Sequence, residues 1–173
     1  EDKINEYAIQ LNKLIHYYES HPNRPLISQF VHDLNVYARC IDSPTKQLEI
    51  CGAGNGFQVF DTDGLSYPCH ILSPLVLEGT KLEQIKRGLL ANTSDFSDND
   101  CVQCPYVSSC PTCIACNYLY RNNLTKRDKT HCEIMKLEVK AVIKKEILRL
   151  SKMDKLSSKD ATEIDSIKKL IEL

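Results

Sequence analysis

Ile4, Tyr7, Ala8, Leu11, Leu14, Ile15 and Tyr18 recur at steps of three and four residues. That is the period of one helix face, and it predicts an amphipathic helix over residues 3–20. His21-Pro22-Asn23-Arg24-Pro25 stops it, because proline cannot donate to the helical ladder. Leu26, Phe30, Leu34 and Tyr37 predict a second, shorter helix over 26–38. The periodicity is then lost, and residues 40–56, with Pro44 and three glycines, read as loop.

The period changes at residue 57. Phe57-Gln58-Val59-Phe60 and Leu65-Ser66-Tyr67-Pro68-Cys69 flank Asp61-Thr62-Asp63-Gly64, which predicts a β-hairpin. The two aspartates invite a calcium reading, but no Glu closes an EF-hand loop, so a turn is expected. A short helix is predicted over 79–90, and a polar loop over 91–100. A long helix from about Lys129 to about Met153 should bury Met135, Val139, Val142, Ile143, Ile147 and Leu150. A last helix over 158–172 should bury Ile164, Ile167, Leu170 and Ile171, with Ser157 and Asp160 spaced as a capping box. The pattern as a whole predicts an α+β fold: a small β-hairpin flanked and capped by helices.

Composition removes several functions. With 22 basic and 23 acidic residues the net charge is −1, so no basic footprint suggests nucleic acid. No apolar run is long enough to span a bilayer. The opening residues lack the apolar core of a signal peptide, which points to the cytoplasm and makes Asn92-Thr93-Ser94 and Asn123-Leu124-Thr125 chance sequons. The chain also opens inside a helical pattern without Met, as a piece of a longer protein would.

Six of the nine cysteines fall between residues 101 and 132, as Cys101-x2-Cys104-x5-Cys110-x2-Cys113-x2-Cys116 and then Cys132. Cys40, Cys51 and Cys69 lie upstream. An odd count without a signal peptide argues against a disulfide framework. Thiolates at this density suit soft metal: zinc, copper(I) or iron–sulfur clusters. A zinc ribbon separates its knuckles by of the order of fifteen residues, more than lies between Cys104 and Cys113. The bacterial ferredoxin run fits Cys110, Cys113 and Cys116 but puts Tyr120 where its fourth cysteine belongs. Two iron–sulfur clusters remain the leading expectation, with zinc as the alternative occupant.

The pattern Cys51-x12-Gly64-x4-Cys69, Cys101-x2-Cys104-x5-Cys110-x2-Cys113 and Cys132 resembles the SPASM domain, over about residues 40–140. That domain is the auxiliary-cluster module of radical S-adenosylmethionine enzymes that modify peptides and proteins. Cys110-Pro-Thr-Cys-Ile-Ala-Cys-Asn117 is similar to maturases of ribosomally made peptides. The resemblance implies two [4Fe–4S] clusters. Cys51, Cys69 and Cys113 would hold the first, and Cys101, Cys104, Cys110 and Cys132 the second. Phe57 stands where some members have a further ligand, so the first cluster either keeps an open iron or recruits Cys116 or Cys40. Cys113 follows Cys110 one residue sooner than is usual in the family, and Cys116 is extra.

The same resemblance divides the chain into a helical connector over 1–38, a two-cluster module over 39–140 and terminal helices over 141–173. Residues 1–38 would include the last helix of a catalytic barrel lying elsewhere in the parent chain. The barrel's C-x3-C-x2-C motif is absent, so S-adenosylmethionine would bind only in that barrel. The expected partners are the barrel and a peptide or protein substrate, and the rival functions are a zinc-stabilised interaction module and a free-standing electron carrier. His70 stands where sulfatase-maturing relatives carry an Asp base, making it the candidate to ligate, shuttle a proton or orient substrate. The plainer reading is a half-buried histidine bonded to backbone. Gly52, Gly54 and Gly56 would let backbone N–H groups approach cluster sulfurs. Cys40 reads equally as a buried thiol, Tyr7, Tyr17, Tyr18 and Tyr37 as helix faces, and Lys144, Lys145 and Lys152 as a solvated face.

Overall fold

The computed structural model describes residues 2–41, 53, 56–86, 99–102, 104–106, 110 and 112–172. They form an α+β structure whose only sheet among these residues is a two-stranded antiparallel hairpin. The chain divides into two compact units, one of residues 1–43 with 129–173 and the other of residues 44–128. None of the described helices is long and apolar enough to cross a membrane.

The first unit is helical. Helix α1 (Asp2–Ser20) buries Leu11, Ile15 and Tyr18, one stripe of its surface, and packs along α6 (Lys129–Ser151). The predicted helix over 26–38 is instead a 3-10 turn at 28–30 followed by α2 (Leu34–Ile41). Asp33 explains the break. Its Oδ1 accepts the N–H groups of Asn35 (2.9 Å) and Val36 (3.3 Å), which caps a new helix rather than continuing an old one. Phe30, buried in the 3-10 turn, meets the ring of Tyr18 edge to face at 5.6 Å. The Tyr18 hydroxyl donates to the Pro25 carbonyl (3.2 Å) and accepts the Ile27 N–H (3.1 Å), tying the loop back to α1.

Helix α6 buries Met135, Val139, Val142 and Ile143 as expected, but Ile147 is 42% exposed and Leu150 is only half-buried. Polar contacts take over at that end. Arg149 pairs with Glu146, and with Asp160 (3.0 Å) and Glu163 (2.8 Å) of α7 (Ser158–Ile171). In α7, Ile167 and Leu170 are buried, whereas Ile164 is half-buried and Ile171 exposed. Lys144 and Lys152 are solvated, but Lys145 is half-buried against Glu146. Tyr7 donates to Glu138, and His32 lies 3.5 Å from the other carboxylate oxygen. Burial of Tyr7, and then its hydrogen bond to Glu138, keep its phenol protonated far above the usual range.

The second unit is built on the hairpin, in which β1 (Val59–Phe60) pairs Val59 with Tyr67 and Phe60 with Ser66 of β2 (Ser66–Tyr67). Asp61 makes the turn. Its Oδ1 accepts the N–H groups of Asp63 and Leu65 (both 2.9 Å), and its Oδ2 accepts the Tyr67 hydroxyl (2.9 Å). Gly64 takes φ +78°, which a Cβ would strain. After a 3-10 turn at 70–72 come α3 (Gly79–Lys86), the single turn α4 (Asn99–Val102) and α5 (Ile114–Arg121).

Ser157 caps α7 as the sequence predicts, its hydroxyl accepting the Asp160 N–H while the Asp160 carboxylate accepts the Ser157 N–H (2.9 Å). Hydrogen bonds from Ser157, and then from Arg149, hold the Asp160 carboxyl at about 2. The folded value lies below the unfolded one, so this stabilisation is complete above about pH 4 and fades as the pH falls through about 2. Ser157→Ala should cost about 1 kcal/mol, read as a lowered melting temperature. Asp160→Asn should flatten the acid limb of helical circular dichroism; an unchanged acid limb would show that the cap carries no pH dependence.

Candidate metal centre

Cys69 is delivered by the hairpin. Tyr67 is buried with its hydroxyl on Asp61, and two residues later Cys69 enters the core, 7% exposed. Its backbone is extended (φ −163°, ψ 169°), and its carbonyl accepts the Leu72 N–H (3.1 Å) to start the 3-10 turn. His70 is exposed, not half-buried. The turn uses its backbone: the His70 carbonyl accepts the Ser73 hydroxyl at 2.7 Å, leaving the imidazole toward solvent.

Cys113 is delivered by α5, which the sequence pattern left unassigned. It is the N-cap residue (φ −97°, ψ 108°), and its sulfur accepts the Cys116 N–H at 3.5 Å. A thiol here fills the role that Ser, Thr, Asn or Asp usually fills. Helix α5 buries Ile114, Ala115, Asn117 and Tyr118, and ends where Asn122 adopts the left-handed conformation (φ 55°) with its N–H on the Tyr118 carbonyl. Asn117 ties the helix to both flanks, its Nδ2 donating to Thr112 Oγ1 and to the Leu124 carbonyl (both 3.1 Å). The Tyr118 hydroxyl reaches Gln84 Oε1 (2.5 Å) and the Lys81 carbonyl (3.2 Å) of α3.

These elements share one core. Cys69, Leu72, Leu77, Ile85, Ile114, Ala115, Tyr118 and Leu124 form a buried cluster, and Cys113 and Ala53 pack against it. Cys116 belongs to the same neighbourhood. Burial, a hydrogen bond to Cys113 and the proximity of Cys113 and Cys69 all push its thiol up, against a smaller opposing pull from Arg121. The structure therefore places Cys69 and Cys113 on one core, with the Cys116 N–H on the Cys113 sulfur.

Cys101, on α4, and Cys110 are buried, and Cys104 turns back on Cys101 through its N–H to the Cys101 carbonyl (3.1 Å). Cys104 also lies near Tyr106, whose phenol is pushed up mainly by burial and secondarily by that thiol. Cys40 near the end of α2 and Cys132 in the first turn of α6 are half-buried members of the other compact unit. Cys51, Gly52 and Gly54 lie outside the described residues. Gly56 faces open space, so crowding is not what a glycine serves there.

As donors, these thiols suit a soft metal. As positioned, no three His, Cys, Asp or Glu side chains among the described residues close around a metal ion, and no described cysteine is joined to another by a disulfide. Compared with protein-family models, curated proteins and solved structures, the chain matches none.

Asn117 is the residue of this centre that the sequence reading passed over. Asn117→Ala should strand the buried Thr112 hydroxyl and Leu124 carbonyl, at a cost of about 1–3 kcal/mol. Hydrogen exchange should quicken across residues 112–124, with α1 and α7 unaffected. Equal loosening of both units would refute this local role.

Proposed function

We propose that this chain is the auxiliary-cluster module of a radical S-adenosylmethionine enzyme that modifies a ribosomally made peptide or a protein. The observation that carries the reading most is the meeting of Cys69, from the hairpin, with Cys113, from the start of α5, on one buried core. Those are the two described cysteines that the SPASM resemblance assigns to the first cluster, and they come from segments far apart in sequence.

In this reading Cys51, Cys69 and Cys113 hold the first cluster, with Cys116 adjoining, and Cys101, Cys104, Cys110 and Cys132 hold the second. Iron–sulfur clusters bound there supply an electron acceptor and a relay. The chain's own residues do the rest. Asp61 and Gly64 shape the turn that presents Cys69, and the α5 cap presents Cys113. His70, exposed beside Cys69, is placed to exchange a proton with a bound peptide or to orient it. Phe57, Phe60 and Leu65, exposed on the hairpin, offer that peptide apolar side chains. A reducing cytoplasm keeps such thiols available to metal.

Anaerobic reconstitution of the full chain, followed by iron and acid-labile sulfide analysis, tests the reading. Iron with equal sulfide is the expected result; zinc without sulfide would replace it with a zinc-stabilised interaction module. Cys113→Ala should lose about one cluster's share of the iron, and Cys116→Ala should retain it. Alanine at Cys101, Cys104, Cys110 or Cys132 should remove the other share. Retention of all the iron in Cys132→Ala would break the ligand assignment.

A further inference from the structure

Cys113-Ile114-Ala115-Cys116 places two thiols two residues apart at the start of a helix. Cys113 stands just before the first turn and Cys116 within it. The extended backbone of Cys113 turns its sulfur in over that turn, where it accepts the Cys116 N–H. That bond holds the backbone of Cys116 3.5 Å from the Cys113 sulfur, and both thiols are half-buried. Cys101 and Cys104 share this spacing, but the contact between them runs from main-chain N–H to carbonyl. No group of three metal-binding side chains closes here among the described residues. The arrangement that does exist is a pair, the sulfur of one on the main-chain N–H of the other.

We propose that Cys113 and Cys116 form a redox-active dithiol that exchanges with linear disulfides of small thiols. The Cys113 sulfur, which accepts the Cys116 N–H, attacks one sulfur of the incoming disulfide, and the other half leaves as a thiol carrying the proton that Cys113 gives up. A mixed disulfide on Cys113 results. Cys116 then gives up its proton and attacks Cys113, forming the internal disulfide and releasing the second thiol. Two protein thiols are oxidised and one external disulfide is reduced to two thiols, so hydrogens and electrons balance. The dithiol stands without any cluster. Only its consequence, that closure withdraws Cys113 from the first cluster, rests on the reading above.

The test uses the full metal-free chain, equilibrated with mixtures of reduced and oxidised glutathione, quenched in acid, alkylated and mapped by fragmentation mass spectrometry. A bond between Cys113 and Cys116 should dominate other pairings at least about tenfold in the folded chain and lose that preference in urea, since native geometry selects the pair. Cys116→Ser should trap glutathione on Cys113, whereas Cys113→Ser should leave Cys116 largely reduced. Closure of Cys69 with Cys116 instead, or a reduced pair in excess glutathione disulfide while helical circular dichroism persists, would overturn the proposal. These readouts need no iron, so failed cluster reconstitution leaves them standing.

Discussion

Burial of one face of α5 is the constraint on which the second unit depends. The hairpin strands are two residues each, and α4 is a single turn. Elements that short are not stable alone. What they share is the cluster in which Ile114, Ala115 and Tyr118 meet Cys69, Leu72, Leu77 and Ile85. Completely burying a side chain of this size contributes roughly 1.5–3 kcal/mol, but it also carries polar groups inside. Tyr118 and Asn117 bring a hydroxyl and an amide with them, and both find partners on neighbouring segments. Those bonds orient α5, because a purely apolar face could slide and the hydrogen bonds cannot.

What was legible in the sequence follows the strength of local signals. Long helices announce themselves through period: α1 and α6 lie where Ile4 to Tyr18 and Met135 to Ile143 predict them, and the capping box of α7 was readable from Ser157 and Asp160 alone. The hairpin was legible from its turn, since Asp61 and Gly64 act within five residues. Failures came where tertiary context decides. Ile147 fits the helical period yet is exposed, because that end of α6 is engaged through Arg149 and its carboxylates. The α2 boundary moved because Asp33 caps a helix instead of riding inside one.

Helix α5 was hidden by chemistry rather than by weak period. Ile114, Ala115 and Tyr118 have helical spacing, and Asn122-Asn123 is a stop signal, but a cysteine-dense stretch invites a loop reading. Its N-cap is a thiol, which is outside the usual capping set. The candidate centre was legible to the same extent. The family resemblance assigned Cys69 and Cys113 to one site, and both lie on one core. Cys116, extra to the family pattern but open as a ligand of the same cluster, has its N–H on the Cys113 sulfur. Spacing along a chain does not say which main-chain N–H a sulfur meets once a helix forms.

A cysteine used as a helix cap has two allegiances. As a cap it accepts the Cys116 N–H, which stabilises the start of α5 and so the core that α5 completes. As a metal ligand or an exchanging thiol, its sulfur must carry charge and bond elsewhere. The demands are compatible, because a backbone N–H aimed at a sulfur stabilises negative charge on it whether that charge belongs to a free thiolate or to a metal-bound one. The main-chain bond that starts the helix therefore prepares the sulfur for either chemistry. Cys116 is placed differently: burial, and then the neighbouring Cys113, push its thiol up. In the proposed reading, metal and disulfide would compete for one atom, Cys113 Sγ.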